Sequence, residues 1–144
     1  MKIGIGSDHA GYDLKEFLKE ELKKDGYEVK DYGPEAKKSV DYPDFAEKLA
    51  RGMQKKEILF GILICGTGIG MSIAANRYGW IRAARACTIQ DAILAREHNN
   101  ANVLALGGRL TANELALQMA KAFLSTPFLK GRHTKRVNRL SRML

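Results

Sequence analysis

Apolar positions along this chain follow two alternating rhythms. Lys2 to Gly6, Tyr27 to Tyr32, Phe60 to Cys65, Ile81 to Arg85 and Asn102 to Leu106 are short aliphatic-rich runs and read as strands. Between them the spacing becomes helical: Leu14, Phe17, Leu18 and Leu22 recur every three or four positions within Tyr12 to Lys24. The same pattern predicts helices over Pro43 to Gln54, Ile69 to Arg77, Thr88 to Glu97 and Thr111 to Leu124. Strand and helix alternate throughout, and parallel neighbours need a crossover connection, so a parallel, doubly wound sheet is expected. Beyond Pro127, Gly131 to Leu144 reads as a separate helix whose stripe of Val137, Leu140 and Leu144 needs a surface to pack on, such as a second subunit. No repeat, low-complexity tract or long linker divides residues 1–144, which predicts a single α/β domain of Rossmann-like, three-layer form.

The stretch from Phe60 to Asn76, FGILICGTGIGMSIAAN, carries the strongest chemical signal. A buried strand would deliver Cys65 into a turn of Gly66, Gly68 and Gly70 that opens a helix. Amides in such a turn point outward and cradle an anion, and open α/β sheets bind ligands at the carboxyl ends of their strands. Cys65 is therefore a candidate base or nucleophile. A P-loop would need Gly-Lys-Ser/Thr where Gly70, Met71 and Ser72 stand, and a dinucleotide fingerprint would need GxGxxG rather than GxGxG. A cysteine phosphatase loop would need arginine where Met71 stands. The loop holds an anion through its backbone, with no cation of its own.

Other polar residues collect after the strands: Ser7, Asp8 and His9 after the first, and Gly107, Gly108 and Arg109 after the fifth. Arg96, Glu97, His98, Asn99 and Asn100 form a polar cluster immediately before the final strand. One sheet edge is thus expected to hold Asp, His, Cys and Arg. Each residue also has a plain structural reading. Asp8 suits a helix cap, His98 a helix dipole, and Asn99 or Asn100 a left-handed cap. Asp41 and Asp44 suit turn and cap positions, Met71 packing, and Cys87 a small core hydrophobe.

Length and composition are those of an ordinary globular protein, 45% hydrophobic and 28% charged. The polar start MKIGIGSDHAG does not resemble a signal peptide, and no apolar run is long enough to span a membrane, so a cytoplasmic location is expected. Cys65 and Cys87 lack zinc-site spacing, and a cytosolic chain is not expected to join them. The net charge of +8 looks like a nucleic-acid signature until it is located: Lys130, Arg132, Lys135, Arg136, Arg139 and Arg142 supply six of those charges after residue 129. Such a tail suits a solvated face, a nucleic-acid arm or a clamp on a small phosphate.

Taken together, GSDHAG at 6–11, SVDYPDFA at 39–46, CGTGIGMSIAAN at 65–76, REHNNANVLALGGR at 96–109 and GRH at 131–133 closely resemble the type B ribose-5-phosphate isomerases. That family also holds allose- and galactose-6-phosphate isomerases, and the resemblance runs end to end. It implies cofactor-free and metal-free aldose-ketose isomerisation of a sugar phosphate through a cis-enediolate. It further implies a homodimer with sites shared between subunits, a tetramer being left open, and no nucleic-acid or membrane partner. By matching position, Cys65 is the proton-transferring base, and His98 opens the sugar ring from the neighbouring subunit together with Asn99. Asp8, His9 and Tyr42 match substrate-binding positions. Gly66, Thr67, Gly68, Ile69 and Gly70 match the loop that holds the enediolate oxygen. Arg109, Arg132 and Arg136 match phosphate-binding positions, which recasts the basic tail as a substrate clamp, and His133 is a further substrate-binding position. Arg85 stands where the family usually has an apolar residue, and the Tyr78 to Trp80 turn replaces a common Pro-Gly turn.

Two other classes fit fewer residues. A phosphate- or nucleotide-binding module leaves Cys65 and His98 idle, and a thiol hydrolase built on Cys65 and His98 leaves the arginines without a target. Within the isomerase reading, ribose 5-phosphate and allose 6-phosphate differ by one carbon, and the sequence favours ribose 5-phosphate only as the commoner family activity.

Overall fold

The structure, a computed structural model, describes residues 1–141. Five strands and six helices alternate: β1 (Lys2–Ser7), α1 (Tyr12–Lys24), β2 (Glu28–Asp31), α2 (Tyr42–Gln54), β3 (Phe60–Cys65), α3 (Ile69–Ala75), β4 (Ala83–Arg85), α4 (Ile89–Asn99), β5 (Val103–Gly107), α5 (Asn113–Ser125) and α6 (Arg132–Leu140). The strands form one sheet in the order β2-β1-β3-β5-β4, with every pair parallel. This is the α/β Rossmann-like arrangement the alternation predicts.

Alternation along the central strands sorts side chains into two cores. Ile3, Ile5, Ile62, Ile64, Leu104 and Leu106 face one side, where Leu14, Leu18 and Leu22 of α1, Ala92 and Ala95 of α4, and Phe123 of α5 cover them. Leu63, Val103 and Ala105 face the other, against Phe45 and Leu49 of α2 and Met71 and Ala75 of α3. Central parallel strands are buried on both faces, which is why these runs are nearly all apolar rather than alternating with polar residues. Met71 is fully buried and serves packing. The Tyr78–Trp80 turn is held from α2: the Trp80 indole N–H donates to the Ala50 carbonyl at 2.9 Å, and the Arg51 guanidinium lies over both rings.

Two readings change. Cys87 is exposed, because β4 ends at Arg85 and Ala86 is the last buried residue of the run; the Cys87 N–H then donates to Asp91 Oδ2 in the capping turn of α4. Of the predicted stripe on the terminal helix, Val137 is buried and Leu140 is 43% exposed, while Leu144 lies outside the described residues, as does Arg142. Among the described residues, no helix is long and apolar enough to cross a membrane.

One polar group is buried deep beside the sheet. Lys15 of α1 has no exposed side-chain surface, and its Nζ lies 2.7 Å from Asp31 Oδ2 and 2.9 Å from Glu16 Oε1. Asp31 Oδ1 accepts the Gly33 N–H at 2.8 Å, and the Gly33 carbonyl accepts the Ser7 N–H at 3.0 Å. The ion pair thereby ties α1 to the end of β1. Burial pushes the Asp31 carboxyl up, but donors from Lys15, Gly33 and Lys19 outweigh it and hold the group below its ordinary 3.8. A depressed carboxylate contributes stability above its unfolded value, and that stability is lost as pH falls through the folded value. The wild type should therefore lose thermal stability on acidification below about pH 4, and Asp31→Asn should flatten that limb while being less stable at pH 7. Melting temperatures of both proteins from pH 7 to 2.5 test this, and parallel curves would exclude the Asp31 contribution.

Candidate active site

In register, β1, β3 and β5 bring Ser7 beside Ile64, and Cys65 beside Gly107, so the segments that follow are forced together. The Asp8 N–H donates to the Ile64 carbonyl at 3.1 Å, the Gly108 N–H to the Cys65 carbonyl at 2.7 Å, and the Arg109 N–H to the Gly66 carbonyl at 3.0 Å. Such closeness leaves no space at Gly108, where a Cβ would stand 2.7 Å from the Ala10 carbonyl oxygen. Gly68 has φ +81 and opens α3 from the left-handed region, where any other L-residue is strained.

Cys65 is buried, and its Sγ accepts the Gly68 N–H at 3.1 Å. Thr67 Oγ1 accepts the Ile69 N–H at 3.2 Å, which fixes the loop from within. Arg109 reaches over the loop, with Nη1 3.1 Å from the point where a Gly66 Cβ would be. The Tyr42 ring closes the far side, 2.7 Å from the corresponding point at Gly70. Asp8 Oδ1 accepts from the Ala10 and Gly11 N–H groups at 3.0 and 3.1 Å, so the capping reading describes one of its oxygens. His9 Nδ1 accepts the Val40 N–H at 3.3 Å, which leaves the neutral ring's proton on Nε2. Asp8, His9, Tyr42, Cys65 to Gly70 and Arg109 thus gather at the carboxyl edge of the sheet.

The Arg96–Asn100 cluster does not join them. Helix α4 ends at Asn99 and β5 starts at Val103, so His98 and Asn99 lie at the amino edge, while Cys65 pairs with Gly107 at the other end of that strand. Four residue steps at about 3.3 Å each, some 13 Å of strand, lie between the two ends. A second group forms around His98 instead. Its ring stacks on His133 of α6, with centroids 4.4 Å apart and planes 13° from parallel, and the Leu129 N–H donates to the Glu97 carbonyl at 3.1 Å. Desolvation, His98 and the cations Arg132 and Arg136 hold the His133 imidazole below its ordinary 6.5. The predicted residues therefore occur as two sets, one at each edge of the sheet.

Sequence reasoning missed what holds the second set. Arg96 is 7% exposed and donates to the Thr126 carbonyl at 3.1 Å, Asn100 Oδ1 at 2.8 Å and the Ala101 carbonyl at 2.6 Å. Arg82 Nε donates to the Asn100 carbonyl at 2.8 Å. These guanidiniums clamp Asn100 in its left-handed conformation, φ 47 and ψ 43, and so end α4 just after His98 and Asn99. Burial lowers the pKa of both arginines. The Arg96 guanidinium also lies over the Phe60 and Phe123 rings, at 4.8 and 5.9 Å. An arginine inside a helix gives no sequence signal that it will turn inward.

Strand-end clefts with a glycine-rich anion cradle and surrounding guanidiniums define a class of α/β proteins that handle small anionic ligands. Comparison with known proteins narrows that class. The model of the ribose/galactose isomerase family matches residues 3–140. Ribose-5-phosphate isomerase B of Escherichia coli is 41% identical over 140 residues, covering 97% of this chain and 94% of that protein. A putative sugar phosphate isomerase of Rickettsia bellii is 44% identical over 135 residues, covering 94% of each chain. Among solved structures, a ribose 5-phosphate isomerase of Thermotoga maritima superposes with a TM-score of 0.96 at 52% identity, covering 98% of this chain and 97% of its own. Ribose-5-phosphate isomerase B of Clostridium thermocellum gives 0.97 at 50% identity, covering 99% and 97%. The chain belongs to the ribose/galactose isomerase family and is an isomerase.

Removing the Arg96 fork leaves several buried acceptors without a donor. Arg96→Met should lower unfolding free energy by about 1–3 kcal/mol, the usual cost of such groups. Urea denaturation of the two proteins measures this, and equal midpoints would show the clamp to be dispensable.

Proposed function

We propose that this chain interconverts ribose 5-phosphate and ribulose 5-phosphate, with Cys65 as the base. The observation that carries this reading is the placement of a buried thiol at the end of central strand β3, within a loop whose Gly68 amide already points at its sulfur. Removing a proton beside a carbonyl requires a base and a place for the oxyanion that forms. In this scheme the Cys65 thiolate takes the proton from C2 of the open-chain aldose, and the electron pair moves onto the carbonyl oxygen as a cis-enediolate. The thiol then returns the proton to C1, giving the ketose, while a second proton passes between the two oxygens. Amides of the Gly66 to Gly70 loop that are not already donating to Cys65 or Thr67 receive the developing charge; in other enzymes one such donor contributes about 2.7–4 kcal/mol.

The split of the site residues supports a homodimer. His98 and Asn99 lie at the edge away from their own Cys65, and a neighbouring subunit can bring its own pair to the cleft. In this reading the partner's His98 opens the sugar ring, and Arg109 with the neighbouring Arg132 and Arg136 holds the phosphate. Arg132 and Arg136 are four apart on α6, so their forks share one helical face and suit a doubly charged ligand. Helix α6 and the exposed Leu140, Ile69 and Ile73 supply surface for that contact. The scheme uses no cofactor, and the relatives named as ribose 5-phosphate isomerases support the choice of substrate.

General base catalysis contributes about 10²–10⁴-fold, so Cys65→Ala should lower kcat by that factor without unfolding the protein. Cofactor-free conversion of ribose 5-phosphate, followed by the appearance of the ketose, measures it. Co-folding Cys65→Ala with His98→Asn chains should restore part of the activity each lacks alone. A mixture as inactive as its parents would rule out the shared site.

A further inference from the structure

Arg85 lies beside the candidate site and has no part in the isomerisation scheme above. It closes edge strand β4, pairs in register with Ala105, and projects an exposed side chain at the carboxyl edge of the sheet. Its Nε donates to the Thr67 carbonyl at 2.8 Å. That carbonyl and the Gly68 N–H belong to a single peptide unit, and the Gly68 N–H is the donor to Cys65 Sγ at 3.1 Å. One planar amide thus lies between a guanidinium and the thiol, with its dipole aimed at the sulfur.

We propose that Arg85 is a positioning residue for Cys65, acting through the Thr67–Gly68 peptide to favour the thiolate. A charged donor on a carbonyl oxygen polarises the amide and strengthens the bond its N–H makes, an effect of the order of 10–30% per bond in hydrogen-bonded chains. The same contact holds the peptide plane still, so the N–H does not turn away from the sulfur as charge develops there. Strand β4 is the sheet edge on the β5 side of this loop, so a long exposed side chain there reaches the loop from outside the two cores. Charged and titratable groups on the segments that meet at the loop are Asp8 and His9 after β1, Tyr42 of α2, Arg85 of β4 and Arg109 after β5. Of these, Arg85 is the one whose side chain hydrogen-bonds to the peptide that faces the thiol.

The inference rests on Cys65 being the base, but its test reads the thiol directly. The rate of Cys65 alkylation by iodoacetamide is measured from pH 5 to 10 by peptide mass mapping, which separates Cys65 from the exposed Cys87. Arg85→Met should raise the midpoint of that profile by roughly half a unit to one unit, which is about threefold to tenfold slower alkylation at pH 7. kcat should fall by a similar factor with KM little changed. Arg85→Lys keeps a charged donor within reach of the carbonyl and should stay within about twofold of wild type. Because Arg85 is exposed, both variants should melt with the wild type, and alkylation is compared below that temperature. An unchanged midpoint in Arg85→Met, or equal values for Met and Lys, would overturn the proposal. Loss of the shift while Cys65→Ala is inactive sinks Arg85 alone; a shift seen in alkylation while Cys65→Ala stays active sinks the base.

Discussion

Three parallel strands, β1, β3 and β5, end side by side, and the segments leaving them have to pass within van der Waals contact of one another. Hydrogen bonds between backbone groups, Asp8 to Ile64, Gly108 to Cys65 and Arg109 to Gly66, hold that crossing at 2.7–3.1 Å. The crossing is possible because Gly108 has no side chain, and the helix that follows Cys65 starts where it does because Gly68 can take a positive φ. Position of the thiol, direction of the loop amides and reach of Arg109 all follow from this backbone arrangement, which is set by strand register rather than by contacts among the polar side chains themselves.

Charge is managed differently at the two edges. At the carboxyl edge Arg109 and Arg85 approach the loop from β5 and β4, and the loop itself contains no cation. At the amino edge Arg96 and Arg82 are turned inward and donate to backbone and amide oxygens. Burying a guanidinium away from water is unfavourable unless its donors are used, and here carbonyls use them. The return is a sharp end to α4, which leaves His98 and Asn99 at a fixed place opposite α6. Stacking of His98 on His133, with Arg132 and Arg136 close enough to depress the latter's pKa, gives that edge a dense set of groups suited to an anion.

Much of the fold is legible in the sequence because burial on both faces makes the central strands continuous apolar runs, and because the helices between them show one apolar face. Boundaries at β3 and α1 coincide with the pattern. β4 is shorter than the pattern suggests: Ile81 is buried by side-chain packing before the ladder begins at Ala83, and the backbone turns outward after Ala86, which exposes Cys87. Asp8 shows the limit for single residues, since a carboxylate after a strand is written alike whether it caps a turn or meets a ligand.

By itself the sequence determined the alternation of strands and helices, the glycine loop behind Cys65 and the membership of a family, since each is carried by local spacing or by motifs that survive as text. Tertiary structure alone decided which residues share an edge. Periodicity records the face of a helix or strand but not the direction in which a crossover returns, so His98 reads as a neighbour of the cleft until α4 is seen to end at the amino side of β5. It likewise decided that Arg96 points inward and Arg85 outward onto the Thr67 carbonyl, because the destination of a long, flexible side chain depends on acceptors that are distant in sequence and meet only once the sheet has formed.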